Sequence, residues 1–253
     1  MFNNVFSLLE INQWLVLIIT AVFVGMGKTG VYGLGTLAAP ILAVAFGGKV
    51  SAGLLLPMLS MADIVAVSWY NRHASWKHLW KLFPFAAAGV VIAIFVGEAI
   101  NDNTFKIIMA VFILGGIPVM IWREYNKNTK PFRGSWYSGS FFGIAGGFST
   151  MIGNAAGPLM NLYFLAMQLP KNVLIGTGAW FFLLINLFKI PFHILVWKTI
   201  TVESITLNLM MLPFILIGAI SGILIVRIIP EKPFRWFIIV MTTLASIRLI
   251  FNA

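Results

Sequence analysis

The sequence predicts an all-α polytopic membrane protein built from two inverted repeats. Its composition, its apolar segments and an internal repeat carry this prediction. Of the 253 residues, 60% are hydrophobic and only 9% are charged, whereas a soluble domain has about 25% charged residues. No Asp, Glu, Lys or Arg occurs at positions 134–170 or 204–226, and about 20 apolar residues suffice to cross a bilayer. Such a chain needs lipid as its solvent.

The apolar segments number five in each half. In the first half they are Ile11–Gly27, Gly33–Phe46, Val50–Tyr70, Leu82–Ala99 and Phe105–Trp122. In the second half they are Trp136–Gly147, Thr150–Met167, Asn172–Trp197, Ser204–Val226 and Phe234–Phe251. The polar stretch between the halves is typical of a linker. We therefore expect one transmembrane domain, with a first repeat of about 11–122, a linker at 123–133 and a second repeat of about 134–251.

The two halves share a pattern of small residues. One ungapped register places Gly25 on Gly143, Gly35 on Gly153, Ala38 on Ala156 and Pro40 on Pro158. An odd number of segments in each half turns the second copy upside down in the membrane, which is a common plan in secondary transporters. The sequence therefore predicts two inverted repeats of five helical segments each.

The net charge of +10 lies mainly in short polar stretches between the apolar segments. The most basic stretches are 72–81, 123–133 and 227–235. With five segments in each half they fall on one side, and basic loops are typical of the cytoplasmic side. We interpret the charge as a topology signal rather than as a surface for nucleic acid. The expected location is the cell inner (cytoplasmic) membrane, where the lipid bilayer surrounds the apolar segments.

Glycine-rich breaks lie within the first two segments of each half, at Gly27–Gly35 and Gly146–Asn154. We expect these segments to be broken or re-entrant, because exposed backbone at membrane depth is tolerated only beside protein or a water-filled cavity. A helix that begins at such a break presents free N–H groups to an anion, and Lys28 adds a full charge. The alternative is that the glycines only permit close helix packing.

A second polar cluster lies in the eighth segment, where Asn186, Lys189 and His193 share one helix face. Lys189 lies eight residues before Trp197, which is about 12 Å along a helix axis. A lysine at that depth snorkels to the surface, pairs with another group or faces a polar cavity. Asp63, a deep acid, lies 123 residues before Asn186, five more than the 118 of the ungapped register, and this spacing sets the two opposite each other in the repeat. Asp63 is predicted either to pair with Lys28 or to couple transport to protons.

Catalytic motifs are not evident in the sequence. It contains no His-Glu-x-x-His, no P-loop, no Gly-x-Ser-x-Gly and no cysteine. We therefore expect no catalytic residue, no metal site and no cofactor, while coupling to protons or sodium ions remains open. Intramembrane hydrolysis by other pairings of side chains also remains open.

At these residues the chain resembles the sulfite exporter TauE/SafE family. The shared motifs of the first half are Gly27-Lys28-Thr29-Gly30 followed by Gly33, Gly35 and Pro40. Those of the second half are Gly153-Asn154, Gly157-Pro158, Gly176-Thr177 and Asn186-x-x-Lys189-x-Pro191-Phe192. The resemblance covers essentially the whole chain and implies a secondary transporter for sulfite, sulfonates or related organic anions. Many members have only glycines where this chain has Lys28-Thr29, which resembles a lysine-bearing subgroup.

The breaks and the polar helix face together predict one site for a small anion between the two breaks. The predicted substrate-binding residues are Lys28, Thr29, Gly30, Gly153, Asn154, Asn186 and Lys189. Asp63 and His193 are predicted to serve coupling or charge pairing. Three alternatives to a secondary transporter are an anion channel, an intramembrane enzyme and a structural membrane partner.

The predicted topology is testable by cysteine accessibility, because the chain has no cysteine of its own. Single cysteines placed within 72–81, 123–133 and 227–235 should all react from the cytoplasmic side, because basic loops are retained there. Cysteines near either terminus should react from the other side. Labelling of the 123–133 linker from the side opposite to 72–81 would contradict the inverted repeat.

Overall fold

The computed structural model describes residues 9–29, 34–70, 74–125, 136–166 and 171–225, together with single positions between 236 and 251. All regular structure in these ranges is helical. The helices are α1 (Ile11–Thr29), α2 (Leu34–Phe46), α3 (Gly48–Tyr70), α4 (Trp76–Ala99), α5 (Asp102–Tyr125), α6 (Trp136–Gly153), α7 (Gly157–Ala166), α8 (Lys171–Leu195) and α9 (Val202–Ile225). Three predicted features lie wholly or mainly outside the described residues: Gly30, the 123–133 linker and the 227–235 loop.

Five of the described helices are long and apolar enough to cross a membrane. The candidate spans are Ile11–Thr29, Gly48–Ser68, Trp76–Ala99, Gly176–Leu195 and Val202–Leu224. This confirms a multi-pass helical membrane protein. The second segment is short, as expected: α2 has 13 residues and a length of about 20 Å, against about 30 Å of hydrocarbon.

The first segment differs from the expectation of a broken or re-entrant helix. With 19 residues, α1 is long enough to cross the bilayer by itself. The reason is that Gly25 and Gly27 lie inside α1 and do not interrupt it. The described part of the chain therefore has its first interruption after Thr29, one residue beyond Lys28.

A tight turn and one carboxylate fix the start of α3. Gly47 joins α2 to α3 with φ of 86°, a left-handed conformation that glycine adopts without steric cost. Asp102 accepts hydrogen bonds from the backbone N–H groups of Gly48 (3.1 Å) and Lys49 (3.0 Å). These N–H groups have no partner within the helix, and a negative charge is favourable beside them. Asp102 thus anchors α3 to the start of α5.

Small residues allow α1 and α9 to pack backbone against backbone. A side chain at Gly25 would overlap the carbonyl of Ile215, one at Gly218 would overlap Val22, and Gly222 lies against Met26. The contacts 22 with 218 and 26 with 222 rise together along the chain, so the two helices run parallel. Glycine at such crossings lets membrane helices approach closely.

The same crossing occurs a second time, between α4 and α6. Gly143 lies against Leu82 and Ala86, as Gly25 lies against Ile215 and Ala219. Gly89 lies against Ile144, as Gly222 lies against Met26. Each equivalent pair on α1 and α6 is 118 residues apart, and each pair on α4 and α9 is 133 residues apart. The first helix of each half therefore packs on the fourth helix of the other half through equivalent residues.

These crossings predict that Gly147→Ala unfolds or destabilises the protein, because the added methyl would overlap the carbonyl of Ala86. Overpacking of this kind costs about 1–3 kcal/mol or more. Gly115→Ala is the matched control, since nothing lies within 4 Å of the added methyl and its effect should stay within about 1 kcal/mol. The measurement is thermal unfolding in detergent, and equal melting of the two variants would contradict the close crossing.

Candidate functional site

The ion pair between Lys28 and Asp63 is the first part of the site. Lys28 lies in the last turn of α1, and its Nζ is 2.6 Å from Oδ1 of Asp63 on α3. The Lys28 ammonium also lies 4.4 Å from the centre of the Phe182 ring on α8, a distance at which a ring face attracts a cation. Asp63 is fully buried, whereas the Lys28 side chain is 17% exposed. The pair therefore reaches the protein surface only at Lys28.

Asn186 on α8 completes the coordination of Asp63. Its Nδ2 donates to Oδ2 of Asp63 at 2.7 Å, so two residues that the repeat register sets opposite each other are in contact. A carboxylate only accepts hydrogen bonds, which fixes the amide with its nitrogen toward Asp63. The amide oxygen Oδ1 of Asn186 is consequently turned away, and it is buried without a hydrogen-bond partner.

Lys189 lies one turn beyond Asn186 on α8 and is fully buried. Its Nζ donates to the carbonyl oxygen of Thr150 (2.9 Å), to Oγ1 of Thr150 (3.1 Å) and to Oδ1 of Asn154 (2.7 Å). Three acceptors use all three hydrogens of an ammonium group. Lys189 therefore does not snorkel to the surface, and it is held by neutral acceptors at the end of α6.

Asn154 ends α6 and binds Lys189 at the same time. Its φ of 52° is left-handed, a conformation that asparagine tolerates better than most residues and that commonly ends a helix. Its Nδ2 donates to the carbonyl of Ala52 on α3 at 3.4 Å. At this break the lysine meets a helix C-terminus, whose carbonyl groups carry partial negative charge, and not the helix N-terminus that we expected to face an anion.

His193 continues the polar face of α8 toward the connection between α8 and α9. Its Nδ1 lies 2.8 Å from Oγ1 of Thr199, and its ring packs edge-on against Trp197. Thr199 in turn lies against Gly53 of α3. The connection therefore folds back over the end of the polar face and closes it.

Two other predicted residues lie at the edge of this arrangement. The hydroxyl of Thr29 is directed to the carbonyl oxygens of Gly25 (3.1 Å) and Ala219 (2.8 Å). It therefore packs α1 on α9 and, in this conformation, offers no hydrogen to the site. Gly153 is buried against the side chain of Met109, so its role is to give the end of α6 room.

Three contacts of the site residues were not predicted from the sequence. They are the Phe182 ring beside Lys28, the carbonyl of Ala52 beside Asn154 and the hydroxyl of Thr199 beside His193. Phe182 precedes Asn186 by one helical turn, so its shared face was a usable signal. A backbone carbonyl leaves no trace in the side-chain pattern. Thr199 lies in a connection whose path no periodicity predicts.

The four ionisable or amide side chains of Lys28, Asp63, Asn186 and Lys189, here called the charged cluster, lie between the end of α1 and the end of α6. Among the buried residues of the described ranges, Asp63 is the only acid. Two lysines therefore face one carboxylate. No group of three His, Cys, Asp or Glu side chains that would hold a metal ion occurs in the part of the chain that the structure describes. The arrangement is suited to an anion.

Comparison with known proteins agrees with this chemistry. No curated protein and no solved structure gives a significant match to the sequence. One family model, described as sulfite exporter TauE/SafE, matches residues 16–249. Because this match covers nearly the whole chain, the protein belongs to the sulfite exporter TauE/SafE family of membrane transporters.

Proposed function

We propose that this protein is a secondary transporter that moves a small anion across the cytoplasmic membrane. The substrate class is sulfite, an organosulfonate or a related organic anion. The observation that carries the proposal is the full burial of Lys189 in a cluster whose one carboxylate, Asp63, is already paired with Lys28. An ammonium group removed from water loses several kcal/mol of hydration, so charged residues inside membrane helices usually serve a function. A bound anion would compensate the second lysine.

Lys28 and Lys189 would attract the anion by charge, while Asn154 and Asn186 would supply hydrogen bonds. The anion would arrive at Lys28, whose side chain is the exposed part of the charged cluster. Gly30 and Gly153 would serve the two helix breaks, because glycine allows backbone conformations that other residues rarely adopt. Thr29 would act through packing, since its hydroxyl is directed to α9.

Two inverted repeats would place this site at their interface. The equivalent crossings of α1 on α9 and of α6 on α4 support the repeat. So does the contact between Asp63 and Asn186, which the repeat register equates with one another. Residues that are equivalent and also touch lie beside the axis that relates the two repeats. In secondary transporters of this plan, the substrate site lies at that interface.

Asp63 would hold Lys28 and stay paired with it while the anion binds, because a carboxylate that loses its ammonium partner in a buried place is costly as an anion. At another step of the cycle, after the anion has left, Asp63 would take up a proton from the accessible side, which would couple transport to protons. His193, one turn beyond Lys189, would lie next to this exchange.

Transport in proteoliposomes tests the function itself. Vesicles containing the purified protein should take up labelled sulfite with a rate that saturates as the sulfite concentration rises. Unlabelled sulfite inside the vesicles should drive the uptake of labelled sulfite against the concentration gradient of the label. A carrier does both because each cycle binds and releases one substrate. Protein-free vesicles are the control. Flux that neither saturates nor runs uphill would instead identify an anion channel, and absence of flux for all tested anions would reject transport.

Lys189, in the membrane interior, should contribute more to anion binding than Lys49, which lies near the start of α3. Lys189→Gln should weaken sulfite binding by tens- to thousands-fold, because losing one partner of a buried charged contact costs roughly 2–5 kcal/mol. Lys49→Gln is the matched control: Lys49 is half-buried and donates only to the carbonyl of Ile100 at 2.7 Å. Binding would be followed by ligand-dependent thermal stabilisation of the purified variants.

Lys28→Gln serves as a second variant at the site, because its partly exposed side chain makes misfolding a smaller risk. It too should weaken binding strongly. Small and equal effects of Lys28→Gln, Lys189→Gln and Lys49→Gln in folded protein would remove both lysines from the anion site.

A further inference from the structure

We propose that the charged cluster selects a singly charged oxyanion that carries its own hydrogen-bond donor. This inference rests on the proposed function and specifies its substrate class. Two separate features of the cluster lead to it: the count of buried charges, and an amide oxygen that has no partner.

The count of charges gives one uncompensated positive charge. Lys189 has three acceptors at 2.7–3.1 Å, which matches the three hydrogens of an ammonium group. Lys28 lies 2.6 Å from Asp63, and ion pairing at this distance accounts for one lysine and the one buried acid. A monoanion would neutralise the remaining charge. A dianion would leave one negative charge in a place that water does not solvate, which is unfavourable.

The amide oxygen of Asn186 calls for a donor. Because Nδ2 binds Asp63 at 2.7 Å, the orientation of the amide is set, and Oδ1 is buried without a partner. A buried acceptor left without a hydrogen bond loses free energy relative to water. The neighbouring lysine ammonium groups do not supply the donor, since Lys189 uses its hydrogens on Thr150 and Asn154. A ligand with an O–H or N–H group would satisfy Oδ1.

Both requirements meet in a small class of molecules. The singly protonated form of sulfite and sulfamate each have one negative charge and a donor group. A simple alkylsulfonate has the charge without the donor, and sulfate at neutral pH has two charges without a donor. The cluster would therefore distinguish two anions of equal charge by whether they have a hydrogen-bond donor, which a purely electrostatic site would not do.

Three tetrahedral probes of similar size separate these terms: sulfamate, methanesulfonate and sulfate. Sulfamate and methanesulfonate are both monoanions and differ by an amino or a methyl group. Affinity would be measured with the purified full-length protein at neutral pH and constant ionic strength, by ligand-dependent thermal stabilisation. We expect sulfamate to bind about tenfold more tightly than methanesulfonate, the worth of one good hydrogen bond, and sulfate to bind most weakly.

Substitutions assign each preference to its residue. Asn186→Leu should reduce the sulfamate to methanesulfonate ratio to about one, because it removes the acceptor. Asp63→Asn should raise the affinity for sulfate relative to methanesulfonate, because it removes the negative charge of the charged cluster. Asn208→Leu is the matched control, because Asn208 is also buried with an unpartnered Oδ1 but lies far from the charged cluster. The part of α9 near the cluster is Ala219, which contacts Thr29 beside Lys28. Asn208 lies 11 residues before Ala219, about 16 Å along the helix axis. This substitution should leave both ratios unchanged.

The outcomes separate this inference from the proposed function. Equal binding of sulfamate and methanesulfonate to the unchanged protein would overturn the donor requirement, and tightest binding of sulfate would overturn the charge count. In either case anion transport would still stand. If none of the three probes binds, both the inference and the anion site fail. The unchanged protein supplies the decisive ratios, so a variant that does not fold leaves the test intact.

Discussion

The need to satisfy a buried ammonium group is the constraint on which the rest of the structure depends. Hydrocarbon offers no water to Lys189, so its three hydrogens must find acceptors within the protein. Two of them lie on Thr150 and one on Asn154. Both residues lie at the end of α6, where Asn154 follows Gly153. The end of α6 thus supplies acceptors for the charge on α8.

The two helix breaks treat their lysines differently. Lys28 also lies at the end of a helix, α1, but its partner is a carboxylate and part of its side chain is exposed. Lys189 has neutral partners and no exposure. The charge of Lys28 is already paired with Asp63, whereas the charge of Lys189 meets only neutral acceptors. In the proposed site, Lys189 is therefore the charge that a bound anion would compensate.

The glycine crossings supply a rigid frame for this arrangement. Backbones in direct contact, as at Gly25 and Gly147, leave no side chains that repack when the helices shift. Asp63, Asn186 and Lys189 lie on α3 and α8, which contact each other. Lys28 and the acceptors of Lys189 lie at the ends of α1 and α6, so the glycine crossings hold these polar groups in place.

The sequence alone determined the membrane class and the short second segment, because composition and segment length are properties of local pattern. It also placed Asn186 and Lys189 on one face, since helical periodicity fixes that. Only the tertiary structure decided that Lys189 meets the end of α6 and that the hydroxyl of Thr29 is directed to α9. The physical reason is that the partner of a polar side chain is chosen by whichever backbone packs beside it, and periodicity within one segment carries no information about that neighbour.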